Sequence, residues 1–577
     1  LNKQIKRRDN LDCDGISTAV PALLRQIYAS RGVTSDQELD KGAKNLLRPN
    51  QLKGMTAACE LLVTALEQNQ RIIVVGDFDA DGATSTALSI LAFKMLGYRN
   101  VDFLVPNRFE FGYGLSPEIV DLAAANGAQV IMTVDNGISS IAGVAAAKAL
   151  GIKVLVTDHH LPGNETPAAD AIVNPNQHGC TFPSKNLAGV GVAFYLMLAL
   201  RGALREQNWF AKQGFVEPNL ACLLDIVALG TVADVVPLDA NNRILVHQGL
   251  QRIRADKCRP GIKALIEIAN RNQAQLCASD LGFALGPRLN AAGRLDDMSV
   301  GVATLLCEDL NNARRFAGEL DSLNEERKEI EGSMQQEALA ILKSVDFDAG
   351  EVPYGICLFQ DDWHQGVVGL VASRIKERFH RPVIAFADAG EGEIKGSARS
   401  IPGLHLRDAL ELLDTRNPGM ILKFGGHAMA AGLSLRLDCY DEFSKQFNTL
   451  VQELLTEEQL TGVVLSDGEL PSEELSLPTA ELIKEAAPWG QMFPEPIFDG
   501  IFRLREQRLV GKKHLKMMLE PENGGPLVDA IAFNVDLEVW PDASVQKIEL
   551  AYKLDVNEFR GKRSLQFMVE HLQPLRS

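Results

Sequence analysis

The stretch RIIVVGDFDADGATSTALSILAFKML, Arg71–Leu96, decides the fold. Ile72–Val75 is a run of four β-branched aliphatic residues that stops at a glycine, which reads as a short buried strand. Asp77, Asp79 and Asp81 follow at alternate positions, then Gly82 and a helical stretch, ATSTALSILAFKML. The pattern recurs downstream, with VDFLVP (Val101–Pro106), QVIMTVD (Gln129–Asp135) and KVLVTD (Lys153–Asp158) separated by SPEIVDLAAA and SIAGVAAAKAL. Strand–helix alternation of this kind predicts an α/β domain whose parallel sheet is covered on both faces. Ligands of such sheets bind beyond the carboxyl ends of the strands.

Three of the four predicted strands end in aspartate, namely Asp77, Asp135 and Asp158. The fourth strand continues into His159 and His160, and a further acid, Asp234, lies in GTVADVVPL after an apolar helix. A single aspartate at a strand end ordinarily caps a turn or a helix. A whole set at one sheet edge repels itself unless protons are shared or a cation is bound. Carboxylates with one or two imidazoles suit Mn²⁺ or Mg²⁺ better than zinc. Five or more such ligands are enough for two ions about 4 Å apart, the arrangement of phosphoryl-hydrolysing sites. No GxxxxGK[ST] run is present, and neither VGDFDADG nor TVDNG matches a dinucleotide fingerprint.

The chain of 577 residues carries 75 Asp and Glu against 58 Lys and Arg, a formal charge of −17. Its length suggests three or four domains, and its 46% hydrophobic content gives each an ordinary core. Taken alone, the acid excess argues against nucleic acid. The charge is unevenly distributed, however. Asn242–Arg294 holds nine basic and three acidic residues, whereas Val451–Gly500 holds eleven acidic residues and one lysine. The basic stretch, placed after Asp234, is a candidate strand-tracking groove. The nine cysteines stand singly without zinc spacing, the longest apolar run (Leu187–Leu200) is too short for a bilayer, and no signal core follows the polar start. A cytoplasmic protein is expected.

From about Asn186 to Val345 the sequence reads as mostly helical, ending in a long charged connector. A second α/β segment, with GVVGLVASRIKERF and RPVIAFA, runs to about Leu450. Beyond Gly500 short alternating strands predict a small barrel or sandwich.

GDFDADGATS, TVDNG, TDHH and GTVADVVPL, in that order, resemble the four motifs of the DHH phosphoesterase family, and KFGGHAMAAGLS (Lys423–Ser434) resembles the signature of its DHHA1-type second domain. PNRFEFGYGLSP, GPRLNAAGRLDD, WHQGVVG and PWGQMFPEP extend the likeness towards a bacterial branch specific for single-stranded DNA. The resemblance implies an N-terminal helical segment (1–70), a DHH catalytic domain (71–240), a helical extension and connecting helix (241–345), and a DHHA1 substrate-binding domain (346–450). An acidic linker (451–500) and an OB-fold domain (501–577) complete it.

The resemblance also implies roles. Asp79, Asp81, Asp135, His159 and Asp234 match metal ligands, with Asp135 as the bridge, while Asp77, Asp158 and His160 match positions that orient ligands or contact phosphate. Arg108, Arg288, Ser397 and Arg399 are candidates for the 5′-terminal phosphate, and Gly425, Gly426 and His427 for further substrate contacts. The basic residues Lys512, Lys513, His514, Arg560, Lys562 and Arg563 lie near predicted turns of the barrel. The implied activity is 5′→3′ hydrolysis of single-stranded DNA to mononucleotides by a monomer, in repair and recombination, with a single-strand-binding protein and a RecQ-type helicase as partners. A small-substrate phosphodiesterase and a non-catalytic replication scaffold are the alternatives. The C-terminal barrel counts against the first, and the intact motif carboxylates against the second.

Overall fold

The computed structural model describes residues 3–9, 11–107, 114–344, 352–537 and 539–575. The chain divides into two compact units, and the boundary runs through the helix Leu310–Ser344. One unit comprises Leu11–Asn324 with Ala486–Glu495, the other Leu1–Asn10, Glu325–Glu485 and Pro496–Ser577.

In the first unit the four predicted strands form at Ile72–Val75, Val101–Leu104, Val130–Val134 and Lys153–Thr157. A fifth, Ala171–Val173, joins the edge beside Lys153–Thr157. Its three residues are too few to show a periodicity in the sequence. All pairings are parallel. In chain order the strands lie 2-1-3-4-5 across the sheet. The first connection therefore runs one way along the sheet and the later ones the other. This reversal opens a crevice between the carboxyl ends of Ile72–Val75 and Val130–Val134, the strands that lead into Asp77 and Asp135.

The helix Ala80–Met95 is buried from Ala80 to Phe93. Its small residues permit this. At its crossing with the helix Leu224–Ala233, a Cβ on Gly230 would lie 2.2 Å from Thr84 Oγ1.

The described residues of the second unit form three β structures, one of them a two-stranded ribbon. A mixed five-stranded sheet runs in the order Ile421–Gly426, Ala430–Arg436, Glu393–Arg399, Val383–Gly390 and Ile356–Gln360. Only the last pairing is parallel. Phe386, Phe443 and Phe447 are among the buried side chains of its core. The C-terminal strands Phe498–Val510, His514–Pro521, Val528–Ala532, Lys547–Phe559 and Lys562–Pro574 close into a barrel. Tyr552 stacks on Phe567 inside it, with ring centroids 4.0 Å apart, and Phe502 meets both rings edge-on. This is the predicted architecture of an α/β domain, a second α/β domain and a β-barrel.

Two expectations are corrected. The segment 451–500 is not merely a linker, since it contains the strand Val463–Ser466 and the helix Leu477–Ala486. The start of the chain, read as part of a helical segment, supplies a strand, Gln4–Arg7, that pairs in parallel with Val463–Ser466. Arg7 fastens this ribbon through Nε and a terminal amino group to Asp499, which also accepts from Ser466 Oγ. A four-residue strand whose partner lies more than 450 positions away leaves no local signal.

Candidate metal centre

The loop after Ile72–Val75 turns back on its own carboxylates. Asp79 caps the helix Ala80–Met95, with Oδ1 accepting from the amides of Asp81 and Gly82, both at 3.0 Å. Asp77 Oδ1 accepts from the amide of Phe78. Asp81, only 1% exposed, receives the amides of Gly189 (2.5 Å) and Val190 (2.9 Å) from the start of the helix Gly189–Glu206. That helix N-terminus favours a negative charge at Asp81. Burial, and then the neighbouring Asp79, work the other way and push its carboxyl up to about 7.

Asp135 is 2% exposed and adopts a left-handed φ of 62°, a conformation that Asp tolerates better than most residues. Asn136 secures the turn by donating to the carbonyls of Val75 and Val134, which ties two adjacent strand ends together. Burial first, then the charges of Asp81, Asp79, Asp234 and Asp77, hold the Asp135 carboxyl well above the ordinary range. Asp234, just past the helix Leu224–Ala233, is raised in the same way.

The two histidines differ. His159 Nε2 lies 3.1 Å from Asp135 Oδ1, 3.5 Å from Asp234 Oδ2 and 3.9 Å from Asp81 Oδ2. Burial lowers its pKa to about 4, so the ring is neutral at pH 7 and presents a lone pair. His160 Nδ1 instead contacts Asp158 Oδ1 at 2.8 Å. Burial opposes its charge, but Asp158 outweighs burial and holds the ring at about 9, so it is cationic. Asp158 is saturated, with Oδ1 also accepting from the amides of His159 and His160 and Oδ2 from Ile138. Its contacts orient the histidine pair.

Among the described residues, three overlapping groups bring their donor atoms within 4.8 Å of one another, namely Asp77, Asp79 and Asp135, then Asp81, His159 and Asp234, and Asp135, His159 and His160. Asp135 belongs to two of them. His159 Nε2 and Asp234 Oδ2 are buried and make no hydrogen bond with a described residue. A neutral imidazole among crowded, charge-starved carboxylates fits hard or borderline divalent cations such as Mn²⁺ and Mg²⁺. All eight predicted residues therefore converge, and Asp77 stands closer to the ligand set than expected.

Arg288 lies on the helix Gly286–Leu295, which packs against the carboxylate loop so tightly that a Cβ on Gly293 would fall 1.7 Å from the carbonyl oxygen of Phe78. Arg288 Nε donates to Asp321 Oδ1 and a terminal amino group to the carbonyl of Ala284. Asn290, from the same helix, accepts the amide of Ala80. Sequence reasoning missed Asn290 and the Gly189–Val190 amides. Gly189, near the start of the apolar run, was the one available signal for the latter. Of the basic stretch, Arg243, Arg254 and Arg259 serve carbonyl oxygens of the fold. Arg108 lies outside the described residues.

The remaining candidates belong to the second unit. Ser397 and Arg399 sit on one strand, where Arg399 donates to Ser397 Oγ, and burial lowers the guanidinium pKa. Gly425, Gly432 and Ser397 stand abreast on three neighbouring strands, so this face of the sheet carries a band of minimal side chains. Gly426 has a φ of 143° and leads into the turn where the His427 amide donates to Ala430. The side chain of His427 is exposed.

Three family models match the chain. Residues 71–231 match the DHH family N-terminal domain, 351–453 the DHHA1 domain and 466–571 the RecJ OB domain. The OB match begins well before 501 and includes the strand Val463–Ser466 only at its last residue. The chain is 65% identical over 572 residues to the single-stranded-DNA-specific exonuclease RecJ of Dickeya dadantii and 63% to that of Escherichia coli, covering 99% of each chain. Among solved structures, it is similar to RecJ in complex with Mn²⁺ from Thermus thermophilus, with a TM-score of 0.81 and 30% identity, covering all of this chain and 80% of that one. With three domain matches in order and full-length identity of this degree, the chain belongs to the RecJ family of single-stranded-DNA-specific exonucleases.

Proposed function

We propose that the protein hydrolyses single-stranded DNA from the 5′ end, releasing 5′-mononucleotides, with two Mn²⁺ or Mg²⁺ ions at the carboxylate cluster. The observation that carries this reading is the convergence of Asp77, Asp79, Asp81, Asp135, His159 and Asp234 at the sheet's crevice. Bound ions of this kind supply an activated water and offset charge on the phosphoryl oxygens. Asp79, Asp81, Asp135, His159 and Asp234 hold them, and Asp77 adds a sixth donor. Asp158 keeps His160 protonated, so His160 offers a charge-assisted hydrogen bond to a phosphate oxygen. Arg288, steadied by Asp321, is oriented for a terminal phosphate.

In the second unit, Ser397, Arg399, Gly425, Gly426 and His427 contact the strand. Their small-residue band lets a sugar–phosphate backbone approach the sheet closely. The barrel adds affinity for single strands through its basic turns. The protein acts in repair and recombination as a monomer, with a single-strand-binding protein and a RecQ-type helicase as partners. Its nine free cysteines suit a reducing cytoplasm, and no helix among the described residues is long and apolar enough to cross a membrane.

The test is degradation of 5′-phosphorylated oligonucleotides, single- and double-stranded, labelled at either end, with Mn²⁺, Mg²⁺ or EDTA. Divalent-dependent loss of the single strand, with label released first from the 5′ end, is expected. Release first from the 3′ end, or equal digestion of duplex, would overturn the polarity or the strand selectivity.

A further inference from the structure

A second charged cavity lies in the first unit, away from the carboxylates. It has a volume of about 550 Å³ and is lined by Lys94, Arg99, Lys257 and Arg259, with one acid, Glu308. Lys94 sits at the C-terminal end of the helix Ala80–Met95, whose other end carries the carboxylate loop. Fourteen residues separate Asp81 from Met95, about 20 Å along a helix. The cavity is thus a separate place.

Its chemistry is that of an anion site. The side chains of Lys94, Arg99 and Lys257 make no hydrogen bond or ion pair with a described residue. Four cations against the single acid of the lining give the cavity a positive potential, which attracts anions. Arg259 is held in place. Its amide donates to the buried Asp225 at 2.8 Å and its Nε to the carbonyl of Leu305 at 3.0 Å, leaving its terminal amino groups for a ligand. A guanidinium fixed in this way binds phosphate with little loss of freedom. The rest of the lining includes Leu91, Met95, Cys222, Cys258 and Pro260. Burial raises both thiols, Cys258 to about 11, so they stay neutral and add apolar surface.

We propose that this cavity binds a free nucleotide, its phosphates held by Lys94, Arg99, Lys257 and Arg259 and its base resting on the apolar lining. Inorganic phosphate would leave that lining uncovered. The volume falls in the range of small-molecule sites and accommodates one nucleotide rather than a run of them.

The experiment titrates the full-length protein in EDTA with a fluorescent ADP analogue. It compares wild type, the double variant Arg99→Ala/Lys257→Ala, and Asp135→Asn, and repeats the titration with a single-stranded oligonucleotide. Saturable ADP binding is expected, weakened at least tenfold in the double variant and unchanged in Asp135→Asn. Loss of ADP binding in the double variant upholds the site whether or not oligonucleotide affinity falls as well. Four outcomes overturn it. These are no saturable binding at millimolar concentration, binding untouched by the double variant, binding lost in Asp135→Asn, or loss of oligonucleotide affinity alone, which would assign the cations to the strand. Because the readout is binding without metal, failure here leaves the exonuclease reading unaffected.

Discussion

A Cβ placed on Gly189 would lie 2.6 Å from the Cβ of Asp135, so the first turn of the helix Gly189–Glu206 rests directly on the central carboxylate. The same residue donates its amide to Asp81. One glycine therefore sets the position of two candidate ligands.

Gly189→Ala is expected to displace Asp135 and Asp81 without unfolding the domain. A shift near 1 Å at a catalytic constellation costs about 100-fold in rate. Mn²⁺ titration and single-turnover hydrolysis should both show the loss, with an unchanged circular-dichroism spectrum. Wild-type activity would mean that the helix gives way and does not set the site.

Asp135→Asn separates charge from shape, since asparagine also accepts a left-handed φ. Hydrolysis should fall more than about 1000-fold, roughly 4 kcal/mol of barrier. The metal-free variant should nevertheless be more stable than wild type at pH 8, and less so at pH 5. The sign follows from the raised carboxyls of Asp81, Asp135 and Asp234. A folded-state pKa above the unfolded value of about 3.8 makes stability fall as pH rises through that window, to about 7 for Asp81. Thermal melts in EDTA at the two pH values check this, and added Mn²⁺ should raise the wild-type melting temperature by mass action.

Gly293→Ala tests the seat of the carboxylate loop. Its methyl group would meet the carbonyl of Phe78, a backbone atom that cannot swing aside. A destabilisation of about 1–3 kcal/mol, as for other overpacked sites, is expected in urea melts. Asn290→Ala, which removes the acceptor for the Ala80 amide, should cost about 1–3 kcal/mol.

Asp158→Asn should bring the His160 pKa down from about 9 towards the ordinary value of about 6.5, as read by NMR titration of the metal-free protein. A raised histidine contributes stability fully present below about 6.5 and lost as pH rises through 9, so the substitution should cost more at pH 6 than at pH 10. Activity should fall about 10–100-fold, as for other orienting partners of ligands. An unmoved His160 pKa would remove Asp158 from this role.

Much of the site was legible because its signals are local. A strand of four aliphatic residues followed by GDFDADG carries its own turn, cap and carboxylates within a dozen positions, and TVDNG and TDHH repeat the device. The edge strand Ala171–Val173 and the N-terminal strand Gln4–Arg7 were not legible. Short strands gain their stability from a partner rather than from their own residues. Arg288 was legible as a candidate, but its pairing with Asp321, 33 positions away on another helix, was not.

The sequence by itself determined the α/β class, the order of the domains and the identity of the carboxylates and imidazoles, because strand periodicity, turn chemistry and donor type are properties of short segments. Only the tertiary structure decided which histidine is neutral and which is charged. That depends on burial and on Asp158 lying 2.8 Å from His160 rather than from His159. Strand order was likewise beyond the sequence. The reversal between the first and third strands brings Asp77 and Asp135, 58 residues apart, to one crevice, and there the crowding of like charges in a low dielectric makes a candidate cation-binding centre.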